Sequence, residues 1–308
     1  MKKKTIGIIG AGYHFQNKVY PLLKKSNFYK IKGVLKHKKK NITKLNYYNE
    51  FDFFKKKFDF VYISCPNNSH SKYILKSLKS NYHVICEKPF ISNLKDLNKI
   101  INLSIKKRRL IFESFSYTFH PVFLYLKKLI KQKKFAKIQY VASSFCFPSL
   151  DRSNNRYYKN KGDGFFLDAA TYPVSLETYL FNTKPKEITN ILKNKITSKV
   201  DLRGYIKFKS RGFTRFYFWG EGQNYTNNLR LITNKGEIYI DKIFSKNEDE
   251  NIYLKIFLKN SKKIIKFKPI NQFKLMFLKI QKNYNKYEFQ NLNRKYITNQ
   301  LSLISKLK

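Results

Sequence analysis

A chain of 308 residues, 42% of them hydrophobic, is long enough for about two domains with cores of their own, despite a negative mean hydropathy. The formal charge of +45 invites a nucleic-acid reading, but only nine of the 64 basic residues are Arg, and Lys is spread from Lys2 to Lys308. A dispersed, solvated Lys surface attracts anionic small molecules without making a phosphate-backbone footprint, so nucleic acid is not expected as the primary partner. Cys65, Cys86 and Cys146 lack CxxC spacing and read as buried reduced thiols, with no metal site expected. "MKKKTIGIIGAG" has a basic start, but its apolar run is short and broken by glycine, and no stretch approaches bilayer-spanning length. A cytoplasmic protein with no membrane partner is expected.

In chain order, "TIGIIG" reads as a buried strand, "HFQNKVYPLLKKS" as a helix, "YKIKGVL" and "FDFVYISCP" as strands, "SHSKYILKSLKSN" as a helix and "HVICEKP" as a strand. Strands alternating with helices predict a parallel sheet covered on both faces. After Pro121 the rhythm changes. One helix, "VFLYLKKLIKQKK", precedes period-two runs rich in aromatics, from "KIQYVASSFCF" through "GYIKFKS", "GFTRFYFWG", "NLRLITN", "GEIYIDK" and "IYLKIFLK" to "KKIIKFK". Short turns such as "KSRG" and "TNKG" between them predict an antiparallel or mixed sheet. A helical pair near residues 272 to 284 and 290 to 307 closes the chain. The change of rhythm places a domain boundary near residue 120, giving domains at 1–120 and 121–308.

"IGIIGAGYHF" sets Gly10-Ala11-Gly12 and Tyr13 between the first strand and a helix, where a glycine turn lets backbone approach a pyrophosphate at the positive helix end. The third fingerprint position, where Gly or Ala would allow close packing, is Phe15. Beyond the second strand, Gly33-Val34-Leu35-Lys36-His37-Lys38 carries cations where a carboxylate would hold a ribose 2'-hydroxyl. That favours a 2'-phosphate, hence NADP, with NAD the alternative and Lys36 a cofactor contact.

"ISCPNNSH" and "ICEKP" are successive strand ends, so both deliver polar groups to the crevice beyond the sheet. Pro89 restrains Lys88 to extended geometry, and Glu87 can steady its charge. An amine beside a reacting hydroxyl can polarise it and exchange its proton. Farther on, "KGDGFFLDAATYPVSLETYLF" supplies Asp168 and Tyr172, four apart and on one face if helical. Gly162 and Gly164 leave room for close approach, Asp163 could cap the helix, and Pro173 should kink it directly after Tyr172.

"GIIGAGY", "VYISCPNNSH", "HVICEKPF", "ESFSYTFHP", "GDGFFLDAATYP" and "NKGEIYID" stand in an order and spacing that resembles the Gfo/Idh/MocA oxidoreductase family over nearly the whole chain. The similarity is greatest to the branch holding dimeric dihydrodiol dehydrogenase, glucose-fructose oxidoreductase and sugar ketoreductases. The resemblance implies an α/β protein: an N-terminal Rossmann domain with a doubly wound parallel sheet, then a C-terminal α/β domain with a large open, mainly antiparallel sheet for substrate binding and oligomerisation. It implies Lys88 as the lysine of the EKP motif, with cofactor contacts also at Gly10, Gly12, Glu87 and the Pro66 to His70 loop, Asn67 included. Tyr172 becomes the proton-transfer group, Lys88 its electrostatic partner, and Asp168 the residue orienting the substrate. Asn155 and Arg156 fall where the branch has a basic residue in its substrate loop. A cation beside a phenol favours phenolate, which suits Tyr172 to moving a proton as hydride moves at carbon.

The pattern departs from the family at Gly-Asp-Gly, usually three glycines, and at Thr118, often Arg; His120 is given no chemical role. The expected activity is NADP(H)-dependent hydride transfer at a secondary alcohol or ketone carbon of a sugar-like substrate, nucleotide-linked sugars among them, by a homo-oligomer. The alternative is a catalytically inactive nucleotide-binding regulator or scaffold of the same fold.

Overall fold

The computed structural model describes residues 3–35, 45–92, 94–132, 137–158, 164–183, 185–194, 200–210, 212–222 and 224–307. Lys36, Gly162 and Asp163 therefore lie outside the described residues, as does the side chain of Asn155. The chain divides into two compact units, Met1–Phe115 with Phe273–Ser302, and Ser116–Gln272 with Leu303–Lys308.

In the first unit, β1 (Lys4–Ile9), β2 (Tyr29–Leu35), β3 (Tyr47–Tyr48), β4 (Phe60–Ile63), β5 (His83–Cys86) and β6 (Ile111–Glu113) form a parallel sheet in the order β3-β2-β1-β4-β5-β6. Every residue of β4 and β5 is buried, as continuous apolar runs must be when both faces of a parallel sheet are covered. The covering helices include α1 (Tyr20–Lys24), α2 (Glu50–Lys55), α3 (His70–Lys79) and α4 (Leu97–Lys106). Tyr73, Ile74 and Leu78 of α3, with Leu97 and Ile100 of α4, point into one core with Val61, Ile63 and Val84. The strand order reverses between β1 and β4, which opens a ligand crevice at their carboxyl ends.

The second unit begins with α5 (Pro121–Lys131). His120 Nδ1 accepts the Val122 amide at 3.2 Å, so this histidine caps a helix. Next come β7 (Ile138–Phe147) and α6 (Thr171–Leu176), followed by β8 (Glu187–Asn194), β9 (Asp201–Ser210), β10 (Phe213–Glu221), β11 (Thr226–Thr233), β12 (Gly236–Asp241), β13 (Ile252–Leu258) and β14 (Ser261–Phe267). The sheet order is β14-β13-β12-β11-β7-β10-β9-β8, antiparallel except where β10 runs parallel to β7. Alternation sorts the faces: Leu202, Ile206 and Phe208 of β9 and Ile252, Leu254 and Ile256 of β13 are buried. Register places two cross-strand pairs at different levels of the opposite face, Tyr205 beside Phe218 and Tyr140 beside Ile232, and all four side chains are exposed. Under the packed face Arg215 and Glu177, both 0% exposed, pair at 2.7 Å, and Tyr217 donates to the same Glu177 oxygen at 2.6 Å.

The closing helices are α7 (Gln272–Asn283) and α8 (Tyr287–Lys306). Residues 121–308 do not cluster as one body, because Phe273–Ser302 belongs with the first unit. The physical reason is apolar: Phe277 packs on Tyr29 and Tyr62, with ring centroids 5.5 and 6.0 Å apart, and Ile297 and Leu301 join the core of Ile63 and Val84.

Candidate active site

The glycine turn lies at the carboxyl end of β1. Gly10 has φ +91°, and a Cβ there would stand 2.4 Å from the Cys65 amide nitrogen. Ser64 Oγ also donates to the Gly10 carbonyl at 2.5 Å, so Gly10 lets the ends of β1 and β4 close on each other. Gly12 is different: a Cβ there would meet nothing within 4 Å. The turn is held by Gln16, whose amide donates to the Gly12 carbonyl at 3.0 Å and whose side chain donates to the Ala11 carbonyl at 2.7 Å. Tyr13 is 83% exposed at the first helical turn, whose amides have no intrahelical acceptor. Open backbone at Gly12 beside those amides is a cradle that a pyrophosphate fits. Phe15 is wholly buried against Tyr62, 6.1 Å between rings, and the helix opens there into a π-turn, Phe15–Val19. The wider turn absorbs both the bulk of Phe15 and the amide missing at Pro21.

At the end of β5, Glu87 and Lys88 are half-buried, and the Lys88–Pro89 peptide is cis. Glu87 accepts a hydrogen bond from Tyr62 Oη at 2.5 Å and has His14 Nε2 at 3.5 Å. Burial alone would raise the Glu87 pKa, but the His14 charge and the bonds from His14, Tyr62 and Ser114 outweigh it and hold it at about 2. Burial pulls His14 down, and Glu87 more than compensates, so its pKa is raised. His14 thus ties the helix of the glycine turn to the strand end that carries Lys88.

His70, expected to line the cofactor, is fully buried, with Nδ1 2.9 Å from the Pro89 carbonyl and Nε2 2.9 Å from the Cys65 carbonyl. The ring N–H can donate to one of these carbonyls, so His70 bridges the loops that follow β4 and β5. Pro66 is exposed and Asn67 half-buried where the loop enters a 3-10 turn, Asn67–Ser69. The Phe90 amide donates to Glu113 Oε1 at 2.9 Å, a second clamp on the same turn.

In the second unit, Asp168 lies in a π-turn, Phe166–Ala170, that leads into α6, and Tyr172 follows one turn later. The helix continues through Pro173 instead of breaking, because the π-turn just before it absorbs the missing amide. Its start is capped from a distance: Asp201 Oδ2 accepts the amides of Phe165 at 3.1 Å and Phe166 at 2.5 Å. Gly164 has φ +87°, and a Cβ there would strike Asp201 Oδ1 at 2.6 Å. Arg156 Nε donates to Asp168 Oδ2 at 2.7 Å, with both side chains partly exposed. The Tyr172 ring is walled by Phe145 at 4.4 Å, Phe244 at 5.6 Å and Tyr117 at 6.3 Å. Near this wall Lys246 donates to the Ile243 carbonyl at 2.8 Å and to Gln272 at 3.1 Å, and burial pushes its pKa down to about 7. Among the described residues no group of three or more His, Cys, Asp or Glu could hold a metal ion.

Residues 4–115 match the family described as "Oxidoreductase family, NAD-binding Rossmann fold" of the Gfo/Idh/MocA group, and residues 123–239 match the GFO/IDH/MocA C-terminal domain. The chain belongs to the Gfo/Idh/MocA family. Among Gfo/Idh/MocA relatives, dTDP-3,4-didehydro-2,6-dideoxy-alpha-D-glucose 3-reductase of Actinomadura kijaniata is 23% identical over 61% of this chain and 57% of its own length. The scyllo-inositol 2-dehydrogenase (NADP(+)) IolU of Bacillus subtilis is 30% identical over 42% of this chain and 41% of its own. The chain thus spans a little over half the length of the ketoreductase and less than half that of IolU. In fold it is similar to KijD10, a 3-ketoreductase from A. kijaniata solved with NADP and TDP-benzene, with TM-score 0.89 and 17% identity over 99% of this chain and 97% of that one.

Proposed function

We propose that this chain is an NADP(H)-dependent oxidoreductase acting on a secondary alcohol or ketone carbon of a sugar or sugar-like compound, nucleotide-linked sugars included. One observation carries the reading. His14, two residues past the open Gly12, stands 3.5 Å from Glu87, the neighbour of Lys88, so the nucleotide turn and the EKP turn share one edge of the parallel sheet. Bound nicotinamide would supply or accept the hydride. Gly10, Gly12, Tyr13 and the first-turn amides would hold the pyrophosphate, and Pro66, Asn67, Glu87 and Lys88 would border the ring.

Within this proposal, Tyr172 exchanges the proton of the substrate oxygen through its phenol, and the Lys88 ammonium favours the phenolate and the developing alkoxide. Asp168, anchored by Arg156, orients substrate hydroxyls with its carboxylate, and the aromatic wall around Tyr172 excludes water. NADP is preferred over NAD because two relatives are named or solved with NADP and the sequence after β2 carries cations. Self-association is proposed through the sheet face that exposes Tyr205, Phe218, Tyr140 and Ile232. Among the described residues no helix is long and apolar enough to cross a membrane. The test is to titrate NADPH by fluorescence and then screen keto-sugars and sugar alcohols at the reduced-nicotinamide absorbance. Saturable binding with turnover of one sugar class supports the reading, and absence of NADPH binding overturns it.

A further inference from the structure

Glu113 closes β6 opposite Cys86 and is 2% exposed. Its Oε1 accepts the Phe90 amide at 2.9 Å, while its Oε2 is buried without a hydrogen-bond partner. The ionisable groups that act on it are Lys88, two residues before Phe90, and Glu87; the Cys86 thiol lies opposite. Glu87 already carries the negative charge of this corner, and a second carboxylate with one oxygen unbonded in the interior is costly.

We infer that Glu113 is a positioning residue for Lys88, working as an undissociated carboxylic acid: one oxygen fixes the backbone behind Lys88, and its neutrality leaves the ammonium field undiminished. The inference rests on the reading of Lys88 as the working amine. Burial first, then the Glu87 charge, raises the Glu113 pKa to about 8 against the opposing pull of the Phe90 amide and Lys88. Above that pH an ionised Glu113 would offset Lys88, and turnover would fall. In the sequence Glu113 only opens the "ESFSYTFHP" stretch, and nothing beside it marks it as buried.

The test compares the full chain with Glu113→Gln, which keeps the Phe90 acceptor and cannot ionise. Infrared difference spectra between the two isolate one carboxyl from the 19 Asp and Glu of the chain. The expected result is a protonated-carboxyl band in the parent at neutral pH, absent from the variant and bleaching near pH 8. In turnover with NADPH, the parent should show an alkaline fall with that midpoint and Glu113→Gln should lack it. Glu113→Leu, which removes the acceptor, should lower kcat about tenfold or more with NADPH affinity retained. Absence of the band at neutral pH, or an alkaline limb unchanged in Glu113→Gln, overturns the inference. If no preparation turns over, the functional reading fails and the infrared comparison alone decides the state of Glu113. If Glu113→Leu does not fold, Glu113→Gln decides.

Discussion

Replacing Gly10 and Gly12 by Ala, one at a time, separates the turn's structural part from its ligand part. At Gly10 an L-residue is strained by φ +91°, and its Cβ falls 2.4 Å from the Cys65 nitrogen and 2.6 Å from the Ser64 carbonyl carbon, both backbone atoms that cannot swing aside. Strain of ~1–3 kcal/mol and overpacking of ~1–3 kcal/mol together predict a loss of ~2–6 kcal/mol. That is a large part of a typical ~5–15 kcal/mol total. At Gly12 the Cβ enters open space, so stability should stay within ~0.5 kcal/mol of the parent. The same methyl occupies the approach to a pyrophosphate, and NADPH should bind about tenfold more weakly or worse, ~1.4 kcal/mol. Urea unfolding of the cofactor-free proteins reads the first quantity, and fluorescence titration with NADPH reads the second. A Gly10→Ala protein as stable as the parent, or a Gly12→Ala protein with the parent's NADPH affinity, would refute this division.

Three further outcomes follow from the same geometry. His14 should titrate above the usual histidine range by nitrogen-detected NMR, and Glu87→Gln should bring it down; the stability this pair adds is full between the ordinary glutamate and histidine ranges, and it is lost as pH rises through the His14 folded pKa or falls toward that of Glu87, about 2. Asp201→Ala removes the acceptor of two amides ahead of Asp168 and should cost ~1–2 kcal/mol in urea unfolding, with turnover reduced further as Tyr172 loses its fixed helix. Glu177→Gln leaves the wholly buried Arg215 without its counter-charge and should cost ~3–5 kcal/mol by thermal or urea melting, a normal midpoint being the contrary result.

What the sequence made legible was local. "YKIKGVL" coincides with β2, Tyr29–Leu35, and the alternating aromatic runs after residue 137 became the strands of the second sheet, because side-chain period and burial are written in consecutive residues. The short β3 and β6 and the helices α2 and α4 were not singled out, being brief or lying between stronger signals. The glycine turn and the EKP stretch could be found because each is contiguous. The contacts that hold them could not: His14 meets Glu87 across the sheet edge, and Asp201 caps Phe166 from 35 residues away. Glu113 gives no signal, since what it meets, the Phe90 amide, lies 23 residues away in the chain. The place of His70 in its loop is legible in the sequence, but its position between the Pro89 and Cys65 carbonyls is not. Pro173 marks an irregular helix in the sequence, but nothing in its neighbours marks the π-turn that precedes it.

The most direct measurement is NADPH binding and single-turnover reduction of the best keto-sugar by Lys88→Ala and Tyr172→Phe. Both variants should bind NADPH as the parent does and lose about a hundredfold or more in the chemical step. Parent-like turnover in either would contradict the assignment of proton transfer to Tyr172 and of its electrostatic support to Lys88.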